Sequence, residues 1–129
     1  MKEVKTVEFT ATIGIVAGYG GEQILIEAAK VDSKAMAIAW QEAAAQVMAK
    51  TGVYVSATIN SSAALYHTDW GCPIGGEPTY TVCGSLNPQF GEEKAWKEAV
   101  LQVVELVKQR FNQSTVTVNF REVTQVYLA

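Results

Sequence analysis

Apolar side chains occupy Val7, Phe9, Ala11, Ile13 and Ile15, with Glu8, Thr10, Thr12 and Gly14 between them. A repeat of two sends the two sets to opposite faces of an extended chain, so this segment predicts a strand with one buried face. Gly18-Tyr19-Gly20-Gly21 then predicts a turn, since glycine reaches positive φ at no steric cost. It is not a phosphate loop, because it lacks the Lys-Ser/Thr of that motif and the G-x-G-x-x-G spacing. Ile24, Leu25, Ile26 and Ala28 predict a second strand that pairs back on the first.

The period changes after Asp32-Ser33, which offers a helix N-cap. Met36, Trp40, Ala43, Ala44, Val47 and Met48 recur at spacings of three and four and predict a helix, with Gly52 as its stop. Val53, Val55, Ala57 and Ile59 return to alternation and predict a third strand. Ala63–His67 predicts a fourth and Thr79–Cys83 a fifth. A second helix opens on Glu92 and Glu93 and closes on Lys108 and Arg110, each sign matched to the helix dipole. Trp96, Val100, Val103, Val104, Val107 and Phe111 form its apolar stripe, and Asn112 ends it. Val116, Val118 and Phe120 alternate with Thr115, Thr117 and Asn119 in a last strand, and Val123–Ala129 is apolar enough to pair or dock.

The predicted order is β-β-α-β-β-β-α-β, an α+β fold in one domain over residues 1–129. The arrangement is similar to a ferredoxin-like antiparallel sheet with two helices on one face, carrying an extra N-terminal hairpin strand. If the helices cover the Val/Phe/Ile face, the other face carries Thr10, Thr12, Tyr54, Ser56, Thr58, Thr81, Thr115, Thr117 and Asn119. Such a polar, charge-poor face serves equally as a partner surface or as the wall of a ligand pocket, and it also follows from the β propensity of threonine alone.

Composition sharpens this. Charged residues make up 18% of the chain and apolar residues 49%, against a usual charged share of about 25%. A surface so short of charge predicts a homo-oligomer, in which an interface covers part of it. Net charge is -3 and no basic run exists, which argues against a nucleic-acid partner. No apolar run is long enough to span a bilayer, and Met1-Lys2-Glu3-Val4-Lys5 is not a signal peptide, so a cytoplasmic protein without membrane association is expected.

Chemistry-bearing residues crowd into Tyr66–Gly84. This stretch holds the one histidine, His67, both cysteines, Cys72 and Cys83, and also Asp69, Trp70, Pro73 and Pro78. Loops on a rigid scaffold are where functional groups concentrate. His67 and Cys72 pair a base with a thiol nucleophile, with Asp69 to orient the imidazole, provided the chain folds back at Gly71. Tyr66, Trp70, Tyr80 and Tyr19 are candidates to line a cleft for a small organic ligand. Trp40 and Trp96 fall on helical stripes and belong to the core. Cys72 and Cys83 can bridge if their Cα atoms come within about 4.4–6.8 Å, although a reducing compartment favours free thiols. The spacing of His67, Asp69, Cys72 and Cys83 matches no zinc pattern, so no metal and no cofactor are expected.

No complete catalytic motif emerges. The leading expectation is a binding or assembly module, homo-oligomeric, whose loop at residues 66–84 contacts a protein partner or a small organic ligand. The alternative is an enzyme of proton-transfer or isomerase type acting on a small molecule through His67, Asp69 and Cys72. A third possibility is a phage- or mobile-element-type structural protein.

Overall fold

The first strand, β1 (Lys2–Gly14), lies inside the sheet and pairs on both edges. Its alternation behaves as predicted: Val7, Phe9, Ala11 and Ile13 are buried. The structure is a computed structural model and describes residues 1–17 and 22–129. The predicted turn Gly18–Gly21, with Tyr19, lies outside the described residues.

After β1 come α1 (Glu22–Ala28), α2 (Ser33–Thr51), β2 (Thr58–Ala64), a single 3-10 turn at Thr68–Trp70, β3 (Glu77–Ser85), α3 (Glu93–Arg110) and β4 (Val118–Tyr127). The four strands form one antiparallel sheet in the order β2-β3-β1-β4. Among the described residues the protein is thus a small α+β structure with a four-stranded antiparallel sheet and three α-helices.

The expected order β-β-α-β-β-β-α-β needs three corrections. First, the segment around Ile24–Ala28 is α1, not a strand. Ile24 and Ala28, four residues apart, share the buried side, while Ile26 is exposed. Gln23 and Glu27 hydrogen-bond at 3.2 Å, a pairing that helical i,i+4 spacing creates. Second, the predicted third and fourth strands are a single strand, β2. Residues 53–57 lie outside any strand, and the carbonyl of Val55 accepts from Trp40 Nε1 at 3.1 Å. Third, β4 begins later and runs further than Thr115–Phe120. Its pairing with β1 ends at Ala11↔Val118, while Lys2↔Tyr127 closes the other end. The tail therefore pairs, as its apolar character suggested.

Helix α2 uses the caps read from the sequence, whereas Glu92 at the start of α3 makes no side-chain capping bond, and α3 ends at Phe111 with Asn112 beyond it at φ 52°. Asp32 accepts from the amide of Ala35 at 2.8 Å, and Gly52 ends α2 at φ 80°. The buried stripe of α2 is Met36, Ala39, Trp40, Ala43, Ala44 and Val47; that of α3 is Trp96, Ala99, Val100, Val103, Val104 and Val107. The helices pack on each other and on the face carrying Phe9. Phe9 stacks on Trp40 at 5.8 Å between ring centroids and meets Trp96 at 5.9 Å.

Strand register puts Thr10, Thr12, Thr58, Thr81, Cys83 and Asn119 on the opposite face. Tyr54, Ser56, Thr115 and Thr117 flank the strands rather than belonging to them. This face is not free of charge: Arg121 Nε bonds Glu8 Oε1 at 2.6 Å, and Glu77 lies at the far end of β3. Among the described residues no helix is long and apolar enough to cross a membrane.

Candidate active site

Three strand ends meet at one end of the sheet: the exit of β1 at Thr12 and Gly14, the exit of β2 at Ala64, and the entry of β3 at Glu77 and Thr79. Tyr66 and Trp70 come from the loop between β2 and β3, and Gln113, Ser114 and Thr115 from the approach to β4. Together with Val16 they enclose a cleft of about 580 Å³. Ligand sites in small proteins have this size and this mixture of apolar walls with a few polar groups.

Glu77 is the centre of the cleft. Period two carries it onto the outer face of β3, beside Thr79 and Thr81, and it is 9% exposed. The hydroxyl of Tyr66 donates to its Oε1 at 3.1 Å. Among the described residues it takes part in no ion pair. An ionised carboxylate buried with one hydrogen-bond donor and no cation is costly, and a positively charged ligand relieves that cost. The faces of Tyr66 and Trp70 also attract cations.

Gln113 is locked in place. Its Nε2 donates to the carbonyls of Val16, at 2.9 Å, and Phe111, at 3.1 Å. Both amide hydrogens are spent, so Oε1 is left as an acceptor at the cleft wall. A Cβ at position 14 would lie 2.4 Å from Gln113 Oε1 and 3.2 Å from Glu77 Oε2, so glycine there keeps the space between the two acceptors open.

The predicted residues divide. Tyr66 and Trp70 line the cleft. His67 and Asp69 stand at its rim: His67 Nδ1 accepts the amide of Asp69 at 3.0 Å, capping the turn that carries Trp70, and the two side chains are 59% and 84% exposed. Cys72 is buried behind the loop, its thiol directed at the carbonyls of Pro73 at 3.4 Å and Ala64 at 3.8 Å. His67, Asp69 and Cys72 do not converge on the cleft. Tyr80 points to the helix side, where its hydroxyl donates to the carbonyl of Val31 at 3.1 Å. Cys72 and Cys83 are free thiols, and Cys83 rests on Thr58 at 3.2 Å. Several cleft groups escaped the sequence reading as site residues, among them Gly14, Glu77, Thr79 and Gln113. For Glu77 a signal existed, because extending the alternation of Thr79–Cys83 back by two residues places it on the threonine face.

A second depression of about 440 Å³, between α2 and α3, is walled by Val47, Leu101 and Leu106, with Lys50 and Glu105 in water at its margin. It holds no buried reactive group, unlike the Glu77 cleft.

Fold and cleft define a small α+β protein with a cleft lined by one buried carboxylate. Comparison with known proteins goes further. A family model described as SAM lyase matches residues 4–129, and the chain belongs to that family. Two solved structures share the fold. A phage SAM lyase in the apo state has 12% identity and a TM-score of 0.58, over 95% of this chain and 86% of that one. A phage SAM lyase in complex with S-methyl-5'-thioadenosine has 11% identity and a TM-score of 0.55, over 91% of this chain and 81% of that one. No protein of curated function matches the chain. Family membership overturns the expectation of an uncharacterised binding or assembly module, and with it that of a phage structural protein: SAM lyases are enzymes.

Proposed function

We propose that this chain cleaves S-adenosylmethionine between the sulfonium sulfur and Cγ of the methionine moiety, releasing S-methyl-5'-thioadenosine. The observation that carries the reading beyond family membership is the buried Glu77 carboxylate, which among the described residues has a tyrosine hydroxyl and no cation as its partner. S-adenosylmethionine is a cation at sulfur and at its α-ammonium, and either charge answers that need.

A lyase breaks the C–S bond without adding water. The simplest balanced step uses the substrate's own carboxylate. One of its oxygens forms a bond to Cγ, and the C–S pair departs onto sulfur, which becomes a neutral thioether. The four-carbon fragment closes as a lactone, and no proton moves. Opposite charges annihilate in this step, so a cleft that excludes water favours it, and folding the chain into a near-attack shape supplies much of the rate. Glu77 takes the α-ammonium, Tyr66 holds Glu77 in orientation, Trp70 offers a face to the purine, and Gln113 Oε1 supplies a second acceptor.

The test is to incubate the protein with S-adenosylmethionine carrying deuterium at both Cβ positions. Release of S-methyl-5'-thioadenosine well above the uncatalysed rate, with both deuterons kept in the lactone, is expected. Loss of one deuteron would replace ring closure by β-elimination. No release would overturn the reading.

The sheet order β2-β3-β1-β4 supports assigning the arrangement to the ferredoxin-like class, without the extra hairpin strand. Self-association also belongs to this proposal. It is supported by the 18% charged share and by the exposure of Leu65, Ile74 and Leu128. A monomer in sedimentation at micromolar concentration would remove it.

A further inference from the structure

Beside Glu77 a row of four hydroxyls crosses the outer face of the sheet, from Thr12 on β1 through Thr81 on β3 and Ser62 on β2 to Thr79 on β3. Thr81 Oγ1 donates to Ser62 Oγ at 2.9 Å. Ser62 Oγ and Thr79 Oγ1 are 2.8 Å apart, and Thr12 Oγ1 lies 3.5 Å from Thr81 Oγ1. A hydroxyl has one hydrogen to give. That of Thr81 is spent on Ser62, so the hydrogen between Thr12 and Thr81 comes from Thr12. The Ser62–Thr79 contact admits either hydroxyl as donor, and Ser62, whose hydrogen is not spent on Thr81, has one to give. With Ser62 donating, the row runs in one direction and ends at Thr79. That residue is 3% exposed and lines the cleft, and among the described residues nothing accepts its hydrogen.

We infer that this row makes Thr79 a hydrogen-bond donor to the carboxylate at the amino-acid end of the substrate, with Ser62 as the positioning residue. The inference rests on the proposed cleavage of S-adenosylmethionine. Glu77 and Thr79 are two residues apart on one face of β3, which separates them by ~6.6 Å along the strand. An α-ammonium and an α-carboxylate share one carbon, so an acceptor on one side and a donor on the other bracket that zwitterion. The direction of the row decides its use. Reversed, it would tie up the hydrogen of Thr79 on Ser62 and turn lone pairs toward the carboxylate. A single neutral hydroxyl also suits the chemistry. It steadies one carboxylate oxygen while the other attacks Cγ, and it does not quench the nucleophile as a paired arginine or lysine would.

Two probes separate this contact from the rest of the site, both followed by titration calorimetry. Sinefungin keeps the carboxylate and replaces the sulfonium by an ammonium-bearing carbon. Decarboxylated S-adenosylmethionine keeps the sulfonium and lacks the carboxylate. Thr79→Val is expected to weaken sinefungin about tenfold, as loss of one hydrogen bond to a charged group does, and to leave the decarboxylated compound within about twofold. Ser62→Ala is expected to weaken sinefungin roughly three- to fivefold with the same selectivity, and Ser62→Thr to restore it. Equal weakening of both probes, or of neither, would overturn the inference while the cleavage reading stands. A wild-type protein that binds neither probe would bring down the cleavage reading and this one together.

Discussion

Glu77 sets the character of the site, because it is a carboxylate 9% exposed whose partner among the described residues is one tyrosine hydroxyl, and a cation is the partner that suits it. Glu77→Gln should therefore lower kcat/KM by roughly 10- to 100-fold, the worth of one charge-assisted bond, while Tm holds or rises. Release of S-methyl-5'-thioadenosine and a melting curve measure the two effects separately. Tyr66→Phe leaves the carboxylate unsupported and should cost about tenfold in rate. Gly14→Ala brings a methyl group to 2.4 Å from Gln113 Oε1, so Gln113 must move and activity should fall even where the fold is kept. That Tyr66 and Trp70 line a cleft was legible in the sequence, because aromatic side chains in an aperiodic loop need a reason to be there. Glu77 was missed because strand β3 begins two residues earlier than its apolar pattern does. Gln113 and Ser62 carry no local signal, since their roles come from partners 97 and 17–19 residues away.

At the level of elements, long periodic segments were read correctly and short ambiguous ones were not. The helices α2 and α3 show stripes of six buried residues each, and their end signals agree with their periods. The run Ile24–Ala28 satisfied strand and helix alike; only the burial of Ile24 and Ala28 together, with Ile26 outside, decides for α1. Asp32→Ala should remove about 1 kcal/mol by unsatisfying the first turn of α2. Gly52→Ala should cost about 1–2 kcal/mol from its φ of 80° alone, since nothing lies within 4 Å of the added methyl. Chemical denaturation measures both. On α3, hydrogen bonds from Gln109 and then Lys108 hold the Glu105 carboxyl below its usual range; on α1, Lys30 does the same for Glu27. A depressed carboxylate adds stability above its unfolded pKa and loses it as pH falls through the folded value. Both groups are in water, so the effect is small. Melting temperature should be level from neutral pH down to the usual carboxylate range and decline only below it.

For the whole molecule, Phe9 joins the sheet to both long helices through Trp40 and Trp96. Phe9→Ala should destabilise by about 3–5 kcal/mol, a large share of what a chain of this size possesses, and unfold it in one transition. The layering of helices on one face was legible because every apolar period faces the same way. The strand pairing was not, because register depends on residues far apart in the chain, as in Glu8↔Arg121 and Lys2↔Tyr127. That pairing of first strand with last has a consequence for synthesis in the cell. β1 emerges from the ribosome before β4 and waits, half-partnered and rich in β-branched residues, until β4 has followed it out. Gln113, Ser114 and Thr115, which wall the cleft, emerge just ahead of β4. A chain stalled or cut before that point lacks these walls and the second partner of β1, so the cleft is completed in one step once β4 has been made rather than growing with chain length.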